Sequence, residues 1–183
     1  MKHTKLNVEK QVGHGRRTAM LTACFFGLVS GSAFAAELPK ETVLPFSLAD
    51  KAAHAAMEKC TADGYRVSVA VVDRAGVVRA LVREDGAGPH TVDSSRKKAY
   101  TSASLRRPTA ELADLVAKMP AVEGLRDMND HILILGGGLP VEMGGEVVGG
   151  IGVGGAPGGH LDAACAQAGL DSIGAAPKVP KDK

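Results

Sequence analysis

The stretch GEVVGGIGVGGAPGGHLD (residues 145–162) decides how this chain is read. A β-branched run carries glycine at almost every second position, then opens into a helical pattern. Gly150, Gly152 and Gly155 satisfy G-x-G-x-x-G, the spacing of a dinucleotide-binding turn. Such a turn belongs to a βαβ unit, whose next strand brings an acid to the ribose. After Gly155 there is one helical segment and a tail, and Asp171 follows that helix instead of ending a strand. The nucleotide reading fails on topology. Gly150, Gly152 and Gly154 share parity and therefore lie on one strand face, with Ile151 and Val153 on the other. A glycine face admits close approach of another backbone or of a flat ligand. Helix packing is the default; a planar group against Gly152 and Gly154 is the alternative. The GAPGG turn (155–159) offers N–H groups to an anion.

Working outward, SLADKAAHAAMEKC (47–60) reads as a helix with Ser47 as N-cap. Leu48, Ala52, Ala55 and Ala56 form its apolar face, and His54 falls on the other arc with Lys51 and Glu58. YRVSVAVVD (65–73) and VVRALVRE (77–84) form a hairpin over Arg74-Ala75-Gly76. TVDSSRKKAYTSASLR (91–106) is a helix with one polar side, and Pro108 and Thr109 open a shorter one that Pro120 ends. HILILGG (131–137) reads as a third strand. LPVEM (139–143) and EVVGGIGVGG (146–155) make a second hairpin over Gly144-Gly145. HLDAACAQAGL (160–170) is the last helix, with Gly169 as its C-cap. This order predicts an α+β fold, an antiparallel sheet of about five strands flanked by helices.

The amino terminus reads as a cleaved signal peptide over residues 1–35. Basic residues (Lys2, Lys5, Lys10, Arg16, Arg17) precede an apolar segment, Ala19–Val29, and Ala33 and Ala35 give the small-residue pattern cleaved before Ala36. The apolar segment falls short of the roughly 20 residues that span a bilayer, so no transmembrane segment is expected after cleavage. Arg16-Arg17 leaves twin-arginine and general export both open. A periplasmic or secreted protein follows, with an extended leader over 36–46, one domain over 47–174 and a disordered tail over 175–183. Removing five of 22 basic and one of 20 acidic residues leaves 17 against 19, a net charge of −2. That balance, without a concentrated basic face, argues against a nucleic-acid partner. Cleavage also removes Cys24 and leaves Cys60 and Cys165. In an oxidising compartment they are candidates for one disulfide joining the first helix to the last; the alternative is two small buried thiols.

The chain has no HExxH, CxxC, P-loop or G-x-S-x-G motif. Of His54, His90, His131 and His160, no two stand at i, i+4, so no local zinc site is indicated. His90 lies in a glycine-rich loop just before a helix that carries Arg96, Lys97 and Lys98. A potential metal ligand meets several cations there, which suits an anionic, planar, metal-containing ligand. Haem is the type: its propionates need cations and its iron a nitrogen, oxygen or sulfur ligand. With two Tyr and four Phe in the whole chain, any such site is built from aliphatic side chains and glycine.

VSVAVVDRAGVVRALVREDGAG, SRKKAYTSA, LPVEMGGEVVGGIGVGGAPGG and DAACAQAGL, in that order, resemble the GlcG/HbpS family, also called the haem-degrading or DUF336 domain, over about residues 47–174. The resemblance implies a profilin-like fold, homo-oligomers (dimers or larger) and, for exported members, haem as the bound group. R-E-D-G-A contributes Arg83, Asp85 and Gly86; K-A-Y-T contributes Lys98 and Thr101. By element, the resemblance offers two axial ligands, Thr101 and the first-helix His54. The expected haem-binding set is therefore His54, His90, Arg83, Arg96, Lys98, Thr101, Gly152 and Gly154. The leading expectation is an exported homo-oligomer that stores, buffers or senses haem. Two rivals stand beside it. One is a haem-dependent or haem-degrading enzyme. The other is a module binding a small anionic ligand, a glycolate-like carboxylate, through Arg96, Lys97, Lys98 and the GAPGG turn.

Overall fold

A computed structural model describes residues 37–175. The expected signal peptide with its Ala35–Ala36 junction, and tail residues 176–183, lie outside the described residues. All regular elements belong to the unit that begins at Lys40. They run α1 (Phe46–Ala62), β1 (Ser68–Asp73), β2 (Val78–Arg83), α2 (His90–Leu105), α3 (Thr109–Lys118), a 3₁₀ segment (Pro120–Asp127), β3 (Gly138–Met143), β4 (Glu146–Gly154) and α4 (Gly159–Ser172).

The four strands form one antiparallel sheet in the order β2-β1-β4-β3. Each hairpin closes on glycine. Gly76 takes φ +78 in a turn whose amides from Ala75 and Val77 donate to the Asp73 carboxylate, both at 3.0 Å. Gly144 and Gly145 take φ +60 and +83, the paired left-handed geometry that matches the twist of two-residue hairpins.

Alternation along the strands gives the sheet two different faces. Val69, Val71, Ile151, Val153, Leu139 and Val141 point to one side, where they pack with the buried alanines of α1 and with Cys165, Ala166 and Leu170 of α4. Ala70 and Val72 point to the other, against Ala99 and Ala103 of α2. Gly150, Gly152 and Gly154 of β4 share that second face, since Gly152 pairs with Ala70. A Cβ on Gly150 would lie 2.3 Å from the Ala99 carbonyl, and one on Gly152 2.2 Å from that of Ser95. One on Gly154 would lie 2.5 Å from Ser94 Oγ. The glycines let the backbone of α2 lie directly on the strand.

The predicted strand at 131–137 is corrected: the sheet has four strands. Amides of that stretch bond to nearby residues or to α2, not to a neighbouring strand. His131 N–H donates to Asn129 Oδ1 (2.8 Å), Leu133 N–H to Thr101 Oγ1 (2.8 Å) and Leu135 N–H to the Leu133 carbonyl (3.0 Å). Ile132 and Ile134 instead join Leu112 and Val116 of α3 in a small separate core. Alternation that looked like a sheet face serves helix packing.

Gly169 is no C-cap. It lies within α4, where a Cβ would sit 2.5 Å from the Ala52 carbonyl, so it lets α4 and α1 touch. The left-handed glycine after α4 is Gly174, at φ +67. Ser47 likewise lies inside α1, whose first bonds go to the Pro45 carbonyl. The same α1–α4 contact carries a disulfide between Cys60 and Cys165, with Cα atoms 5.5 Å apart and a separation of 105 in sequence.

Candidate functional site

α1 buries Ala49, Ala52, Ala53, Ala56 and Cys60, so the helical period turns Lys51, His54 and Glu58 to solvent. His54 is not loose there. Its Nδ1 lies 3.0 Å from the Asp50 carbonyl and 3.4 Å from Asp50 Oδ1, one helical turn back. A carbonyl can only accept, so Nδ1 carries the proton and the lone pair of the neutral ring is on Nε2. The side chain is 49% exposed. Lys51, three residues away on the same surface, forms no ion pair with a described residue. An exposed ring nitrogen and a cation on one helix face are the kinds of group that haem's iron and propionates require of a protein.

The other candidates have different surroundings. Lys98 is buried: its Nζ donates to Asp162 Oδ2 at 2.7 Å and to the Val153 carbonyl at 2.9 Å. Asp162 in turn accepts the Ala156 N–H at 3.0 Å, which occupies one amide of the GAPGG turn. Burial pushes the Asp162 carboxyl above the usual carboxylate range, against the opposing pull of Lys98. Gly137, at φ +112, makes room for the pair, because a Cβ there would lie 2.6 Å from Asp162 Cβ and 3.0 Å from Lys98 Nζ. Thr101 is also fully buried; its hydroxyl donates to the Lys97 carbonyl (2.8 Å) and accepts from Leu133 N–H (2.8 Å). Gly152 and Gly154 lie beneath α2.

Arg83 donates to the Ala87 carbonyl, which ties the RED-G-A turn to its own strand. His90 is the exposed first residue of α2. Arg96 is divided between Asp93 Oδ1 (2.9 Å) and His131 Nδ1 (3.2 Å), and the His131 ring lies 5.2 Å from that of Tyr100. Hydrogen bonds from Arg96 and Lys97 hold the Asp93 carboxyl below its usual range. The structure therefore brings Arg96 to His131, not to His90. Asp50, Asp162 and the Arg96–His131–Tyr100 contact escaped the sequence reading; only Asp50, at i−4 from His54, left a signal there.

Two clefts of about 90 and 240 Å³ flank Arg74, one lined by Leu44, Asp73 and Val148, the other by Arg106, Gly145 and Glu146. Both fall below the roughly 300 Å³ at which ligand pockets begin, and neither includes a residue of the expected set. No cluster of three or more His, Cys, Asp or Glu able to hold a metal ion occurs among the described residues, and no helix there is long and apolar enough to cross a membrane.

The comparisons with known proteins agree with this architecture. HbpS of Streptomyces reticuli, solved as a double mutant, is 46% identical and superposes with a TM-score of 0.71, covering 78% of this chain and 94% of its own. A PduOC:heme complex is 26% identical with a TM-score of 0.68, covering 74% of this chain and 98% of its own. Protein GlcG of Escherichia coli K12 is 30% identical over 113 residues, 62% of this chain and 82% of GlcG. The family described as "Haem degrading protein HbpS-like" matches residues 44–171, from buried Leu44 to the end of α4, and the chain belongs to that family.

Proposed function

We propose that this is an exported haem-binding protein that holds haem on the outer face of α1, with His54 Nε2 as the iron ligand and Lys51 toward a propionate. The observation that carries the reading is the His54 ring itself, solvent-facing and with its Nδ1 engaged, in a family where PduOC was crystallised with heme. Bound haem supplies an iron centre; the chain's residues bind and orient it. One exposed ring on one helix covers little of a ligand that size, which favours a second subunit completing the site and thus a homo-oligomer. The disulfide supports an exported life, since such bonds persist in oxidising compartments.

Holding is favoured over transforming. Of Arg83, Lys98 and Thr101, the groups a haem-degrading reading would place by the iron, Lys98 and Thr101 are engaged inside the fold and Arg83 donates to the Ala87 carbonyl. The small-carboxylate reading loses Lys98 for the same reason. Saturable hemin titration with a shifted Soret band is expected for the wild type and Thr101→Ala, and its loss for His54→Ala. A featureless, identical rise in all three proteins would overturn the proposal, and loss in Thr101→Ala alone would move the ligand to Thr101. Bleaching of the bound band with ascorbate or peroxide, with iron released, would favour the enzymatic rival.

A further inference from the structure

Resting on that assignment of His54, we infer that Asp50 is a positioning residue that sets the donor strength of the His54 ring. Among the described residues Asp50 is the one group within hydrogen-bond or ion-pair distance of that ring. It acts twice. Its carbonyl, 3.0 Å from Nδ1, fixes the tautomer and the ring plane, so that Nε2 is the nitrogen offered to iron. Its carboxylate, 3.4 Å from the same nitrogen, places negative charge beside the Nδ1 proton. A carboxylate behind a ligating imidazole raises the basicity of the distal nitrogen, and loss of such a partner typically weakens metal binding by about 10- to 100-fold. Added electron density on Nε2 favours the more highly charged ion, so Asp50 biases this face toward ferric over ferrous haem.

A stability role does not account for the contact. The two side chains are 49% and 44% exposed, and such surface pairs contribute little to folding. The i, i+4 spacing on a rigid helix also holds the geometry with no ligand present, which is the pre-organisation a binding site needs.

The test uses the mature protein with Asp50→Asn, Asp50→Glu and His54→Ala, titrated with hemin and, under dithionite, with ferrous haem. Asp50→Asn is expected to weaken ferric binding about tenfold with a smaller ferrous effect, an unmoved Soret maximum and an unchanged melting temperature. Asp50→Glu is expected to recover most of the affinity. In the protein without haem, ¹⁵N NMR is expected to show the Nδ1–H tautomer at His54. An Nε2–H tautomer would overturn the inference. So would equal ferric affinity in wild type and Asp50→Asn while His54→Ala has lost it, though that result leaves the ligand standing. Equal ferric and ferrous losses, or a matching fall in melting temperature, would make Asp50 merely structural. Wild-type hemin binding by His54→Ala would instead overturn the ligand assignment beneath it.

Discussion

Lys98 and Asp162 show how a residue's role depends on what lies against it. A lysine among Arg96 and Lys97 reads as part of a cationic ligand surface; in the structure it is the inward member, paired with an acid 64 residues away. Removing one partner of such a pair strands the other charge, so Lys98→Ala is expected to cost about 3–5 kcal/mol in urea unfolding. Lys98→Met with Asp162→Leu should cost clearly less than the two single changes combined, since neither charge is then stranded. The pH dependence has a definite sign. Asp162 has its folded pKa raised by burial, so its contribution to stability is full below the ordinary carboxylate value and is lost as pH rises through the raised one. The advantage of wild type over Asp162→Asn is therefore expected to shrink from pH 4 upward; a growing advantage would refute the assignment. Asp93, lowered by Arg96 and Lys97, acts oppositely, and its small surface contribution disappears as pH falls through its depressed value.

Among the elements, β4 and α2 are the pair that explain the glycine run. Gly152→Ala would drive a methyl into the Ser95 carbonyl and the Ala99 amide, and neither backbone group can step aside. A loss of at least the 1–3 kcal/mol typical of overpacking is expected in chemical denaturation. Gly124→Ala, in the 3₁₀ segment with nothing within 4 Å of the new Cβ, is the matched control and should be near neutral. The parity of Gly150, Gly152 and Gly154 was legible in the sequence because a strand's period of two is local. What would lie on that face was not. Helix and planar ligand make the same demand on the strand, absence of Cβ, and only the position of α2 separates them. The stretch 131–137 misled for a related reason: Ile132 and Ile134 alternate correctly, but their partners Leu112 and Val116 lie on a helix.

At the scale of the whole molecule, the Cys60–Cys165 bond ties the first helix to the last and closes a loop spanning 105 residues. The chain-entropy model assigns such a loop roughly 4.7 kcal/mol. Reduction, or Cys60→Ala with Cys165→Ala, is expected to lower stability by several kcal/mol, and both cysteines should resist thiol labels in the unfolded protein until reductant is added. Labelling without reductant would refute the bond. The sequence by itself determined the α+β class, both hairpins and the outward-facing place of His54. Each of these follows from turn chemistry or from a repeat of two or 3.6 residues. The tertiary structure alone decided that the sheet stops at four strands, that α2 covers the glycine face, and that Lys98 faces Asp162 while Arg96 faces His131. Those outcomes depend on which distant segments share a surface. A repeat says which way a side chain points, but packing and the tendency of buried polar groups to find partners choose what it meets.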